Sequence, residues 1–169
     1  MHQAMREFLH AEHLLALSVL EPRYDLLDSQ ALREPCALES SASDSPTRDS
    51  ITLDSVWIHS ANCFYAFDEA NIALVFKSEP HTRHIQLATR YPNVSATIAT
   101  NTLKIAKIKG LQIQARFSLA TQAQGEIYYA RFPFARLGAG ELYALEILYA
   151  KYTNNALGLS KKLEFHKNP

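Results

Sequence analysis

The spacing of apolar residues changes character twice along this chain. Over residues 3–13, Met5, Phe8 and Leu9 recur at helical spacing. Residues 14–20 then form a short apolar run of strand type that Pro22 closes. From about 22 to 54 the sequence turns to Ser, Asp, Glu and Pro, too polar to build a core and too long for an ordinary connection. This acidic insertion is expected to be a surface loop or a lid over a ligand. Tyr24, Leu26, Leu27 and Leu32 can form one short helix near its start.

Beyond the insertion the pattern is β-rich. Residues 55–67 and 72–76 flank Asp68-Glu69-Ala70-Asn71, a turn-type tetrapeptide, and read as a hairpin. A helix is expected over 80–91, with Pro80 in its first turn and Pro92 as its stop. Residues 94–100 and 104–120 make a second hairpin around Asn101-Thr102, and Gly110 suggests a bulge or a close backbone approach. A helix over 122–132 is halted by Pro133; a long core strand over 142–152 and a short one over 163–165 complete the chain. Six or seven strands, mostly in hairpins, with two or three helices predict a mainly β domain spanning 1–169. The expected form is a small antiparallel barrel with helices at its edges. No regular β-α-β alternation supports a doubly wound parallel sheet.

With 47% apolar residues and 10% aromatics in 169 residues, one sizeable core is expected. The formal net charge is zero, which argues against a nucleic-acid or anionic-membrane partner. The balance hides an asymmetry: residues 21–55 carry eight acidic and three basic side chains, a net of −5 that leaves +5 on the rest. A mildly basic body suits a phosphate-bearing small ligand better than a polyanion. Cys36 and Cys63 are too few for a disulfide framework and indicate a reducing compartment. No signal-peptide pattern and no apolar stretch approaching ~18 residues is present, so a soluble, cytoplasmic protein is expected.

The chain has no G-x-G-x-x-G, no Walker-type glycine loop, no C-x-x-C and no H-E-x-x-H. No metal site or hydrolytic triad is expected. Chemistry concentrates instead where a strand meets a helix, at Phe76-Lys77-Ser78-Glu79-Pro80-His81-Thr82-Arg83-His84. Unpaired N–H groups and the positive end of the helix dipole suit an anion there. Ser78, His81 and Thr82 can join them, and Arg83 can bind two phosphate oxygens at once. Ordinary capping by Ser78 and Thr82 explains the hydroxyls equally well.

On the strand Ser60-Ala61-Asn62-Cys63-Phe64-Tyr65, the period of two puts Ser60, Asn62 and Phe64 on one face. That face either hydrogen-bonds a flat heteroaromatic ring or is simply the wetter side of a half-buried strand. Arg131 and Arg136 flank a helix stop and read as helix-end cations or a dimer contact. Lys161 and Lys162 follow a tight turn, as surface lysines or as cations that reach a phosphate from a partner subunit. No general base stands out; Tyr65 and His59 are the candidates.

Taken in order, these residues resemble the flavin-binding split-barrel proteins related to pyridoxamine 5′-phosphate oxidase, and most closely the YhbP-like group. The resemblance rests on Ala61-Asn62-x-Phe64-Tyr65-x-Phe67-Asp68, Thr82-Arg83-His84, Arg131-Phe132-Pro133-x-Ala135-Arg136 and Asn155-x-Leu157-Gly158-x-x-Lys161-Lys162. It implies a homodimer of six-stranded split barrels with FMN in each of two clefts between subunits. It further implies that Ser78, His81, Thr82 and Arg83 hold the phosphate, that the ring lies along the strand near 60–64, and that the partner adds residues from its later strands and C-terminal region. His81 stands where many relatives have Lys or Arg, which predicts FMN affinity that falls between pH 6 and 8. The C-terminal Arg and His that bind substrate in the oxidase itself have no clear match. The implied function is two-electron oxidoreduction of an unidentified small molecule; a non-catalytic flavin carrier and a haem-binding or haem-degrading protein are the alternatives.

Overall fold

The computed structural model describes residues 1–22, 56–157 and 161–167. The insertion beyond Pro22 and the helix expected within it lie outside the described residues. Among the described residues, seven strands and three α-helices follow in order: α1 (Gln3–Ala11), β1 (Leu14–Pro22), β2 (Val56–Asp68), β3 (Ala73–Ser78), α2 (Arg83–Arg90), β4 (Asn93–Ala99), β5 (Lys109–Leu119), α3 (Gln122–Arg131), β6 (Glu141–Asn154) and β7 (Lys161–His166). Adjacent strands run in the order β3-β2-β1-β4-β5-β6-β7, and a further pairing of β3 with β6 closes the first six into a barrel. Every pairing is antiparallel.

The six-stranded barrel is therefore the expected one, with β7 as an addition. β6 explains how it splits. Its residues 141–146 pair with β3, whereas residues 149–154 pair on the same side with β7. Between them the register to β5 shifts, so that Gln114 faces Tyr149 while Ala115 faces Ile147, and Leu148 is the extra residue. Tyr143, Leu145 and Ile147 point inward before this bulge and Ala150 and Tyr152 after it, so the inward phase changes from odd to even. Gly110 is not the bulge: it pairs regularly with Ala99 and Thr153.

Alternation fills the core. Leu15, Leu17 and Val19 of β1, Val94, Ala96 and Ile98 of β4, and Leu111, Ile113, Ala115 and Phe117 of β5 are buried, with polar residues between them on β4 and β5. Met5, Phe8 and Leu9 of α1 join the same cluster. Each Leu, Ile, Val, Phe or Met among them contributes roughly 1.5–3 kcal/mol when fully buried.

Two element starts differ from the sequence expectation by three residues or more. β5 begins at Lys109, because β4 ends opposite Gly110 and offers no strand for residues 104–108 to pair with. Those residues instead form a 3-10 turn, Ile105–Lys107, held by Asn155 donating from Nδ2 to the Ile105 carbonyl at 3.3 Å. α2 begins at Arg83 rather than Pro80. Pro80 lies in a turn closed by the Thr82 N–H donating to the Glu79 carbonyl at 3.1 Å.

α1 and α3 are joined by Arg131, which donates from Nη2 to the carbonyls of His10 at 3.0 Å and Glu12 at 2.8 Å. It acts as a helix-end cation on a neighbouring helix. The Tyr65 hydroxyl donates to the Leu9 carbonyl of the same helix end at 3.0 Å. Burial pushes the Tyr65 phenol up, so the hydroxyl keeps the proton it donates here. Arg136 pairs with Glu126 at 2.6 Å and lies over the Tyr129 ring. Arg131→Ala is expected to cost about 2 kcal/mol in urea denaturation, since it leaves helix-end carbonyls without their charged donor; a change below about 0.5 kcal/mol would show that water replaces it.

Candidate functional site

The start of α2 carries no side-chain cap. Thr82 holds the capping position, yet its hydroxyl donates backwards to the Glu79 carbonyl at 2.8 Å. Ser78, at the end of β3, turns to His84 instead, with Oγ 2.9 Å from Nε2, and lies 3.3 Å from the Thr82 hydroxyl. Capping thus fails to account for these hydroxyls. They form a small polar group beside an uncapped helix start.

Arg83 turns towards the barrel. Its Nε donates to Oε1 of Glu21 at 2.9 Å. Nη2 lies 2.9 Å from the same oxygen but makes no hydrogen bond and is sealed from solvent, so that contact is ionic. Glu21 is only 8% exposed, at the end of β1. Its second oxygen, Oε2, is 3.7 Å from His59 Nδ1 on β2. Burial, and then the neighbouring His59, hold the His84 imidazole below the usual histidine range. Four elements therefore converge: Glu21 from β1, His59 from β2, Ser78 from β3, and Thr82, Arg83 and His84 from the entry to α2.

Three of the expected site residues meet in this group: Ser78, Thr82 and Arg83. His81 does not. Its side chain is 76% exposed and pairs with Glu79 at 2.9 Å. Ser60, Asn62 and Phe64 share one exposed face of β2, as the period of two requires, and Phe64 is 55% exposed. That face is opposite to the one through which His59 reaches Glu21. The Ser60 hydroxyl lies 3.1 Å from that of Ser18, and Phe64 stacks parallel to His13 with centroids 5.9 Å apart. Lys161 and Lys162 pair with Asn154 and Thr153 at the far end of β6, whereas Ser78 pairs with Glu141 at its start. Within one chain, these lysines do not approach the α2 group.

Glu21 is the functional neighbour that reading the sequence missed. It stands among the acids of the insertion boundary and 62 positions from Arg83. Register alone reveals its place, since it pairs with Trp57 where β1 ends and β2 begins. Cys63 offers no nucleophile: burial pushes its thiol up to about 11.

The residues fit a phosphate in part. Hydroxyls, an imidazole and first-turn N–H groups supply neutral donors, while the nearest permanent cation is already matched by a carboxylate. Beside Pro80 a cleft of about 360 Å³ opens between Ile85, Phe117, Leu119 and Tyr143.

No family model matches the chain. A UPF0306 protein of Campylobacter jejuni is 46% identical over 111 residues, covering 65% of this chain and 82% of the relative. The chain belongs to the UPF0306 family. A second UPF0306 protein, from Yersinia pestis, is 44% identical over 111 residues, 63% of this chain and 76% of that one. Among solved structures, this UPF0306 chain is similar to a pyridoxamine 5′-phosphate oxidase-related, FMN binding protein from Nostoc punctiforme (TM-score 0.55, 7% identity, 98% of this chain and 90% of that chain). It is also similar to a FAD-binding protein from Mesorhizobium loti (0.55, 13%, 90% and 94%) and to a heme binding protein from Mycobacterium smegmatis (0.61, 8%, 96% and 58%). The UPF0306 chain thus has the split-barrel fold of the pyridoxamine 5′-phosphate oxidase-like FMN-binding proteins, one that also serves haem binding. Among the described residues, no helix is long and apolar enough to cross a membrane.

The pair of Arg83 and Glu21 has a measurable consequence. Arg83→Ala leaves Glu21 buried without its cation and is expected to cost about 2 kcal/mol, between the values for exposed and fully buried pairs. Urea denaturation measures this, and Glu21→Gln in the same background should restore part of the loss. No restoration would show that packing, not charge, was lost. A second consequence concerns pH. The folded-state pKa of His84 is depressed, so below the usual histidine value of about 6.5 the unfolded chain takes up a proton that the folded chain resists. Stability contributed by neutral His84 is complete above that value and falls as pH drops below it. His84→Gln should flatten this part of the stability curve; an unchanged slope would place the titration elsewhere.

Proposed function

We propose that this protein binds FMN as a homodimer and acts as an oxidoreductase on a small molecule. The observation that carries the reading is the uncapped start of α2 with the Ser78, Thr82 and His84 side chains gathered beside it, in a fold shared with flavin-binding proteins. Ser78 and Thr82 would donate to the phosphate together with the first N–H groups of α2, and Arg83 would supply charge. The exposed face of Ser60, Asn62 and Phe64 would hold the ring by hydrogen bonds and contact with Phe64.

A second subunit is part of this reading, because Lys161 and Lys162 reach a phosphate at Ser78 only from another chain. On the outward faces of β1, β2, β4 and β5, the paired row of Ser18, Ser60, Ser95 and Gln114 is small and polar enough for two barrels to meet closely there, and the exposed Ile58 and Phe64 of β2 add apolar surface. When bound, the flavin supplies the two-electron chemistry; the protein binds, orients and shields it. Tyr65 donates into the backbone, and His59 stays near Glu21, so neither is assigned to proton transfer.

The test is the absorption spectrum of the purified protein, before and after FMN and then haem are added, with its size measured by light scattering. Flavin bands with quenched fluorescence on a dimer support the proposal. A Soret band without flavin binding would favour the haem reading instead, and binding of neither would leave only the fold.

A further inference from the structure

We infer that Glu21 is an internal competitor for the anion at the start of α2, and so sets how tightly the protein holds a phosphate ester. The inference rests on the FMN reading above. A guanidinium binds two oxygens at once through one of two donor pairs: Nε with one Nη, or both Nη atoms together. Glu21 occupies the side of the first pair, accepting a hydrogen bond from Nε and holding Nη2 by an ionic contact, each nitrogen 2.9 Å from Oε1. Nη2 belongs to both pairs and is sealed from solvent. With Nε bonded to Glu21 and Nη2 sealed, neither pair is complete for a ligand. A two-point grip on phosphate therefore requires Glu21 to release the fork.

The placement of Glu21 makes that release costly. Glu21 is 8% exposed, near the end of strand β1, with Arg83 on one carboxylate oxygen and His59 beside the other. Of the other side chains in the group, Ser78 and Thr82 hydrogen-bond their own neighbours and carry no charge, and burial of the His84 imidazole disfavours its cation. The charge available to a phosphate is thus decided by one side chain on β1, outside the segment that would bind it. A positioning role makes the opposite prediction: if Glu21 only aims Arg83 at the ligand, its loss weakens binding.

The sign of one measurement separates the two. FMN and riboflavin are titrated by fluorescence quenching into the wild-type protein, Glu21→Gln, Arg83→Gln and the double variant, each checked for folding by thermal denaturation. Glu21→Gln should tighten FMN on the order of tenfold, the scale of one charge-assisted contact, and leave riboflavin unchanged. The gain should vanish in the Arg83→Gln background. Inorganic phosphate should compete with FMN more effectively in Glu21→Gln than in the wild type. If Glu21→Gln does not fold, Glu21→Asp shortens the carboxylate's reach and should tighten FMN in the same direction. Unchanged or weaker FMN binding in a folded Glu21 variant overturns the competition while leaving the FMN reading in place. So does an equal gain for riboflavin. Failure of every variant to bind either flavin overturns the FMN reading, and the competition with it.

Discussion

Replacing Gly140 by alanine should destabilise the protein by about 3 kcal/mol, combining a disfavoured backbone conformation with a steric overlap. Gly140 has φ +109°, where a side chain is strained whatever the space around it. A Cβ there would also lie 2.8 Å from the Ser78 carbonyl oxygen and 2.9 Å from its carbon. Both atoms are backbone, so relief requires β3 to move away from the start of β6. Ser78 is the residue displaced, and with it the hydroxyl that meets His84. The variant should therefore lose FMN affinity as well as stability. Gly138→Ala is the control: φ is −85° and the added Cβ would sit 3.8 Å from the Ala135 carbonyl, an ordinary contact. Equal urea midpoints for the two variants would show that the close approach of Gly140 to Ser78 does not constrain the fold.

Asp68→Ala is expected to cost a comparable amount, about 3 kcal/mol, because it strips the charged acceptor from three donors, one of them the buried Gln124 amide. Asp68 is 1% exposed. Its carboxylate accepts from the Asn71 N–H at 3.2 Å, Asn71 Nδ2 at 2.7 Å and Gln124 Nε2 at 3.1 Å. Gln124 in turn completes the capping box of α3, accepting from the Thr121 N–H at 3.0 Å while its own N–H donates to Thr121 Oγ1. One carboxylate thus fixes the β2–β3 turn and ties it to α3. Asp68→Asn keeps the shape and one acceptor oxygen and should lose about half as much. Denaturant midpoints measure both, and a loss below about 1 kcal/mol for the alanine would mean that water enters and satisfies the donors.

These two residues bear on how motifs are read. Asp68, Tyr65 and Arg131 all belong to the ordered series that resembles the flavin-binding split barrels. In the structure they build turns and helix ends. Gly140 lies outside that series yet stands against Ser78, inside the candidate site. A recurrent residue pattern marks what the fold needs as readily as what a ligand needs, and hydrogen-bond partners separate the two.

Much of the architecture was legible in local spacing. Strand period two, helical spacing at Met5, Phe8 and Leu9, and turn residues at Asp68 to Asn71 act within a few positions, so neighbouring residues suffice to read them. The difference at 104–108 has the same origin: Ile105 and Ile108 extend the β-branched run of β5 and resemble a strand, but a strand needs a partner and β4 has already ended. The bulge at Leu148 was invisible for a related reason, since two registers on either side of β6 decide it.

The candidate site divides along the same line. Its hydroxyls, its helix start and the presence of Arg83 could be read from one short segment, because a strand-to-helix junction is a local event. What Arg83 touches could not. Pairing of β1 with β2, and packing of α2 across the end of the barrel, bring Glu21 and His59 to it from 62 and 24 positions away. The sequence by itself determined which groups are available to meet an anion. Only the tertiary structure decided that the one permanent cation among them already has a carboxylate partner, because electrostatic interactions depend on distance in space and not along the chain.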